Sequence, residues 1–278
     1  MPELPEAETI ARGLNAVLPG RVVRRVEVVR EDVVSGAAGP FARAVAGREI
    51  RGVGRRGKNV VFTFADDSRL VVNLGMSGRF MTGADAHGDH PSTHPAVVFH
   101  LADGGWMIYD DVRRFGRLSA IPVAEWRRWS RRLGPEPLAR GFTAARLRGI
   151  LARSRSPVRS LLLDQRRIAG VGNIYAVEAL WFARIHPQTP ANAIGAAAAA
   201  RLHRALRRVL RNAIRAGGTT LRNYRDANGD EGRFGRALHA YGREEEPCTR
   251  CGTAIERIVF GGRSAFVCPR CQDGSALP

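Results

Sequence analysis

Residues 248–271 read Cys-Thr-Arg-Cys-Gly-Thr-Ala-Ile-Glu-Arg-Ile-Val-Phe-Gly-Gly-Arg-Ser-Ala-Phe-Val-Cys-Pro-Arg-Cys. They hold all four cysteines of the chain, as Cys248-x2-Cys251 and Cys268-x2-Cys271, with sixteen residues between the pairs. A two-residue gap lets both sulfurs of a knuckle face one tetrahedral centre, and two knuckles at this separation match a four-thiolate zinc site. A pair of disulfides is the alternative, which a cytosolic compartment disfavours. Four thiolates close the coordination shell, so one structural Zn2+ is expected, holding a hairpin too short to have a core of its own. Arg257, Arg263 and Arg270 lie around the knuckles and would be presented to a phosphate backbone or a base.

Outward from this tail, the charge points the same way. A net charge of +18 over 278 residues exceeds that of an ordinary soluble domain and indicates a polyanionic partner, nucleic acid first. The basic residues are spread along the chain, and Lys58 is the only lysine. A drift toward arginine explains the majority but not the survivor. Arginine cannot be deprotonated, and its planar fork does not replace a compact ammonium, so position 58 reads as one that needs an amine. Hydrophobic residues make up 44%, enough for real cores. No run of about 18 apolar residues exists to span a membrane. The acidic start Met1-Pro2-Glu3-Leu4-Pro5-Glu6 lacks the apolar core of a signal peptide, so a cytoplasmic protein is expected.

Periodicity divides the chain into an α+β protein of two domains. Pro5 to about Val17 predicts a helix, with Ala7, Ile10, Ala11, Leu14 and Val17 on one face. Strand-like runs follow at Val22–Val29, Glu49–Val53, Val60–Phe64, Leu70–Leu74, Val97–Leu101, Trp106–Tyr109 and Arg117–Ile121. Many short strands of regular spacing predict an antiparallel sandwich or barrel. Gly83–Pro95 reads as a polar loop. The texture changes at Leu133-Gly134-Pro135-Glu136-Pro137. Beyond it, helices are predicted over Ala144–Arg153 capped by Thr143, from Pro157 to about Arg167, over Asn173–Ala183 and over Gly195–Ala216. The expected division is residues 1–133, a linker over 134–142, a helical domain over 143–243 and a zinc finger over 244–278. Thr219–Arg243 is rich in Gly and Arg and reads as a mobile loop.

The second residue carries possible chemistry of its own. Removal of Met1 ahead of a small residue would expose the secondary amine of Pro2. An α-amino group titrates near about 7.7–8.0, so a useful fraction is neutral at pH 7, and a helix N-terminus beside it disfavours protonation further. A neutral secondary amine attacking a sugar C1′ gives an iminium ion, an electron sink for elimination. Glu3 and Glu6 lie close enough in sequence to donate or shuttle protons.

The blocks Pro2-Glu3-Leu4-Pro5-Glu6-Ala7-Glu8-Thr9, Leu74-Gly75-Met76-Ser77-Gly78, Asp111-Val112-Arg113-Arg114-Phe115-Gly116, Asp164-Gln165 through Gly170-Val171-Gly172-Asn173-Ile174-Tyr175-Ala176, Gly217-Gly218-Thr219-Thr220 and Tyr241-Gly242-Arg243 occur in this order ahead of the cysteines. Over essentially its whole length the chain thereby resembles the bacterial formamidopyrimidine-DNA glycosylases. The resemblance implies an N-terminal β-sandwich with an N-terminal helix, a helical domain with a helix–two-turns–helix motif, and a zinc-finger hairpin. It implies a monomeric enzyme of base excision repair, associated with the nucleoid through DNA, that removes oxidised purines from double-stranded DNA and cleaves the strand by β/δ-elimination. By the same resemblance Pro2 is the nucleophile, Glu3 the acid that opens the sugar ring, and Lys58 a phosphate contact that assists proton transfer. Glu6, Glu178, Thr219, Thr220 and Tyr241 support the lesion pocket. Met76, Arg113 and Phe115 fill the hole left by a flipped nucleotide, and His94, Arg159, Asn173 and Arg263 contact DNA, with Tyr241 also gripping a phosphate. No redox cofactor is implied.

The chain departs from the family pattern at Val112, where many relatives have Pro, at Arg159, where several have Lys, and over Ser92-Thr93-His94-Pro95-Ala96. Two rival readings remain open at this point. The sister endonuclease VIII-type glycosylases for oxidised pyrimidines usually open Pro-Glu-Gly-Pro, whereas residue 4 here is Leu. A non-catalytic zinc-ribbon protein would bind nucleic acid but leaves Pro2, Glu3 and Lys58 unexplained.

Overall fold

The computed structural model describes residues 2–84, 92–220 and 231–274. Among them, no helix is long and apolar enough to cross a membrane. Two compact units emerge, one of Met1–Arg132 with Ala216–Gly235, the other of Leu133–Arg215 with Arg236–Pro278.

In the first unit, helix α1 (Leu4–Val17) opens with a proline in its first turn and a capping box between Glu3 and Glu6, and buries Leu4, Ala7, Ile10, Ala11 and Leu14. The strands are β1 (Val23–Val28), β2 (Ile50–Arg56), β3 (Asn59–Phe64), β4 (Arg69–Asn73), β5 (Arg79–Gly83), β6 (Pro95–Leu101), β7 (Trp106–Asp110) and β8 (Arg117–Ile121). They form two four-stranded sheets, ordered β1-β6-β7-β5 and β2-β3-β4-β8, antiparallel throughout. Phe62, Phe64, Phe80, Phe99 and Tyr109 fill one core with α1, and the Phe62–Phe80 and Phe80–Tyr109 rings meet edge-on at 5.4 Å. Alternation sends Val61 and Val71 to the outer face of the second sheet, where Trp126 and Trp129 of helix α3 (Val123–Arg131) cover them.

Three elements here escaped the sequence reading. Helix α2 (Ala38–Val45) contains Gly39 and Pro40, which mask its periodicity. Strand β5 follows Gly75 and Gly78 and ends at Gly83, so it reads as loop. Helix α3 is amphipathic only through two tryptophans among arginines.

The second unit contains α4 (Ala144–Leu151), α5 (Val158–Leu163), α6 (Asn173–Ala183), α7 (Ala196–Arg215) and the hairpin β9 (Glu256–Phe260) and β10 (Arg263–Val267). The hydroxyl of Thr143 accepts the amide of Arg146 and starts α4. Helix α6 is apolar on nearly every side and is buried accordingly.

One expectation is corrected. The helix expected to run from Pro157 to about Arg167 stops at Leu163. There the Asp164 carboxylate accepts the Arg166 amide, and Gln165 bonds Leu163 O, Val171 O and Gly170 N, replacing helical bonds with a closed turn. By contact grouping, residues 216–220 and 231–235 fall with the first unit. A physical tie is the amide of Thr219, which donates to the buried carboxylate of Glu6.

Candidate active site and nucleic-acid interface

The N-terminal segment folds inward. Pro2 is buried, and Glu3 and Glu6 are 3% and 2% exposed. Glu6 joins two distant stretches: Oε2 accepts the Glu3 amide and Oε1 the Thr219 amide, both at 2.8 Å. Thr219 begins a short antiparallel stem with Arg233. The stem is completed by bonds from Gly232 N to Thr220 Oγ1, from Thr220 N to Gly232 O and from Phe234 N to Gly218 O. The middle of the expected mobile loop, 221–230, lies outside the described residues.

Lys58 is the second central residue of the Arg56–Asn59 turn. Gly57 has φ 61°, whereas Lys58 does not, the pattern of a type II′ hairpin, which takes Gly at its first central residue. The turn is braced from α1. Arg55 donates to the Glu8 carboxylate at 3.0 Å and to Gly57 O at 2.8 Å. One helical face further on, Asn15 accepts the Val53 amide at 2.7 Å. Burial opposes ionisation of Glu8, but Arg55 and Arg12 outweigh it and hold its carboxyl below the ordinary range. Glu8 and Arg55 went unassigned in sequence; an Arg two residues from the turn glycine was the available signal.

Met76, Arg113 and Phe115 come together on two loops. The carboxylate of Asp111, 1% exposed, accepts Ser77 Oγ at 2.6 Å, Gly116 N at 2.8 Å and Tyr109 OH at 3.2 Å. Ser77 Oγ in turn accepts Arg113 N at 3.0 Å. A Cβ at Gly75, where φ is 59°, would lie 2.5 Å from Phe115 C and Gly116 N, so only glycine lets the loops approach this closely. Held thus, Met76 and Phe115 remain 43% and 59% exposed, with the Arg113 guanidinium 4.7 Å from the Phe115 ring centre. Exposed apolar side chains on a clamped base form a rigid wedge. Asp111 and Ser77 lay inside the quoted motifs, yet nothing local marks them as the clamp.

His94 is exposed beside the wedge. Buried Asp110 positions it by accepting His94 N at 3.0 Å and Ser92 Oγ at 2.6 Å. Burial opposes ionisation of Asp110, but Ser92, His94 and Arg79 hold its carboxyl below the usual range. His94, Arg30, Arg114 and Val112 share a cleft of about 360 Å3.

In the second unit the structure departs from the expected role of Arg159. It is 1% exposed and does not face solvent. Its guanidinium donates to Asn173 Oδ1, Phe260 O and Ser264 O at 3.0, 3.3 and 3.1 Å and lies 4.6 Å from the Phe260 ring centre. Asn173 Nδ2 also donates to Ser264 O, at 2.9 Å. Arg159 therefore pins the hairpin to the start of α6 and leaves Arg263 as the exposed cation beside it. Lysine lacks the planar fork that reaches three divergent acceptors. Arg159→Lys should therefore leave the fold intact but weaken DNA binding about 10-fold, read by titration of a labelled duplex. Equal affinities would show that the clamp does not position the hairpin.

Glu178, fully buried, accepts the amides of His239, Ala240 and Tyr241 at 3.0, 2.9 and 2.9 Å. Burial raises its pKa, against the opposing pull of those amides. This fixes the backbone of Tyr241, whose half-buried ring meets Phe266 at 5.1 Å.

The sulfurs of Cys248, Cys251, Cys268 and Cys271 lie within 4.8 Å of one another. A tetrahedral zinc thiolate with bonds of about 2.3 Å has sulfur–sulfur edges of about 3.8 Å. Cys251 and Cys268 Sγ are 3.4 Å apart, too far for a disulfide at about 2.05 Å. The cluster fits the metal.

Such an assembly defines a protein of two units with a helix–two-turns–helix motif and a four-cysteine zinc finger. Three family models match the chain in order: the formamidopyrimidine-DNA glycosylase N-terminal domain over residues 1–118, the formamidopyrimidine-DNA glycosylase H2TH domain over 133–225, and the zinc finger found in FPG and IleRS over 245–274. A formamidopyrimidine-DNA glycosylase of Chloroflexus aggregans is 44% identical, covering 98% of both chains. The crystal structure of the MutM (FPG) protein from Thermus thermophilus is similar with a TM-score of 0.86 at 40% identity, covering 98% of each. A Lactococcus lactis FPG mutant in complex with a Fapy-dG containing DNA is similar with a TM-score of 0.90 at 33% identity, covering 98% of this chain and all of that one. The chain belongs to the formamidopyrimidine-DNA glycosylase family. Its four cysteines bind one structural zinc ion.

Proposed function

We propose that this chain is a DNA glycosylase and abasic-site lyase that removes oxidised purines from duplex DNA, acting as a cytoplasmic monomer. The observation that carries the reading is the carboxylate of Glu6, which ties the buried Pro2–Glu3 terminus to the loop stem at Thr219. The residue after the nucleophile and one end of the capping segment's stem are thereby held by one side chain.

In this reading the Pro2 nitrogen attacks C1′ of the damaged nucleotide. The N–C1′ bond forms as the glycosidic bond breaks, and the base leaves with the bonding pair and takes a proton. Glu3 protonates the ring oxygen as the sugar opens to the iminium ion. Loss of a C2′ proton then expels the 3′ phosphate, and a second elimination releases the 5′ phosphate. Lys58 neutralises a phosphate and relays protons. Met76, Arg113 and Phe115 fill the stack vacated by the flipped nucleotide, whose extrusion costs a few kcal/mol. Arg263, Tyr241 and the first turn of α6 at Asn173 bind backbone phosphate, with His94 as a further contact. Thr219 and Thr220 anchor the segment that covers the flipped base.

Single-turnover excision tests this reading on duplexes carrying 8-oxoguanine, a formamidopyrimidine or an oxidised pyrimidine. The two purine lesions should react faster; the reverse order would assign the chain to oxidised pyrimidines. Lys58→Arg keeps the charge but changes geometry and proton affinity, so excision of 8-oxoguanine should slow by about 10-fold or more. An unchanged rate would remove Lys58 from the proton relay.

A further inference from the structure

We propose that helix α7, with the adjoining C-terminal end of α6 and the zinc knuckles, forms a second surface for duplex DNA. It is distinct from the phosphate-binding cluster at Asn173 and captures another DNA segment while the first is bound. The inference goes beyond the catalytic reading and uses none of its residues.

The sequence sets the pattern. Arg201, Arg204, Arg208, Arg211 and Arg215 recur at alternating steps of three and four, which places them on one stripe of a helix. All five are exposed. The apolar face, with Leu202, Leu206, Val209, Leu210 and Ala213, is buried on the other side. The helix contains no acidic residue, and among the described residues no ion pair involves any of the five. A solvated face ordinarily interleaves both signs, since like charges at this spacing repel and destabilise a helix. A polyanion relieves that repulsion. From Arg201 to Arg215 the stripe runs about 21 Å at 1.5 Å per residue, the rise of about six base pairs at 3.4 Å each.

The stripe continues onto a second group of cations. Arg201 Nε donates to Ala183 O at 3.2 Å, and the Arg208 guanidinium lies 4.9 Å from the Phe182 ring centre. Beside them, Arg250 stacks 4.0 Å from the Trp181 ring centre and donates to Trp181 O. Arg184, Arg250 and Arg270 line a cleft of about 400 Å3 over Cys251 and Cys271. Aromatic stacking orders Arg208 and Arg250 before any ligand arrives. Their position separates them from the catalytic interface: Ala183 and Asn173 are the two ends of α6, about 15 Å apart along the axis. None of the exposed large apolar side chains among the described residues lies on α7 or in this cleft, as an anchor in a lipid surface would require.

The test compares the full-length protein with an Arg204→Gln, Arg208→Gln, Arg211→Gln variant, after thermal melting shows both folded. Enzyme bound to a labelled undamaged duplex is challenged with increasing unlabelled duplex. Release from the wild-type protein should accelerate with competitor concentration, because a second segment is captured before the first departs. The variant should release at a constant rate. The competitor-dependent part of the wild-type release should weaken with log salt with a slope of about 2.7 or more, at about 0.9 for each of three phosphate contacts, while the salt slope for binding the first duplex should be the same in both proteins. Single-turnover excision at saturating enzyme should be unchanged.

Competitor-independent release from the wild-type protein, or equal competitor dependence in the variant, would overturn the proposal. Loss of single-turnover excision in the variant would place the stripe in the primary footprint and overturn it too. Release driven by anionic vesicles but not by duplex would assign the surface to lipid headgroups and equally overturn it. Failure of the wild-type protein to excise any lesion would count against the catalytic reading alone, since competitor dependence is measured on undamaged DNA.

Discussion

Borohydride should leave the native chain covalently attached to a duplex containing 8-oxoguanine, and Pro2→Gly should lose base excision by on the order of 100-fold or more. The reason is chemical. Only an amine can form the iminium ion that hydride reduces to a stable bond, and the secondary amine of proline gives an iminium with no proton to lose. Glycine offers a primary amine and a freer backbone at a position where Pro2 is buried and Glu3 caps α1. The positive end of that helix favours the neutral amine, so the rate should rise with pH and level off at or below the ordinary α-amino range of about 7.7–8.0. An extension ahead of Pro2 that cannot be removed turns the amine into an amide and should abolish the adduct. An extended protein that still traps at the native rate would move the nucleophile elsewhere, with Lys58 the next candidate.

Cys251→Ala, or zinc stripping by a chelator, should reduce DNA affinity by about 100-fold or more while the N-terminal unit stays folded. A structural zinc contributes about 10–16 kcal/mol of apparent binding free energy to a small finger. The hairpin has little with which to replace it: Ile255, Ala265, Cys248 and Cys268 share one small buried cluster with Val177, Trp181 and Ala240. Without the metal, Ser264 O and Phe260 O leave Arg159. A buried guanidinium then loses two of its three acceptors, which is itself destabilising, and Arg263 loses its placement. Elemental analysis should find one zinc per native chain. Fully active protein without zinc would refute the role assigned to the cluster.

The parts legible in the sequence are those fixed within a few residues. The knuckle spacing determines a metal geometry because two intervening residues allow two sulfurs to converge, whatever the rest of the chain does. Pro2 is fixed by its covalent position behind Met1, and Lys58 stood out as the only lysine. Short strand-like runs of regular spacing marked seven of the eight strands of the first unit, and Thr143 marked the start of α4. The order of motifs along the chain marks the family that the three domain models match.

Tertiary structure alone decided which distant groups those local features meet. Glu6 and Thr219 are 213 residues apart, and no periodicity relates them. Asp111 reads as one acid in a polar loop until packing buries it under Ser77, Tyr109 and Gly116. The family resemblance implies a DNA contact for Arg159, yet the fold closes the zinc hairpin over it. Local conformation follows from interactions between near neighbours, which spacing encodes. Burial of a charge depends on which remote backbone carbonyls and amides arrive to bond it, because an unbonded charge would stay in water, and that arrival is a property of the packed chain.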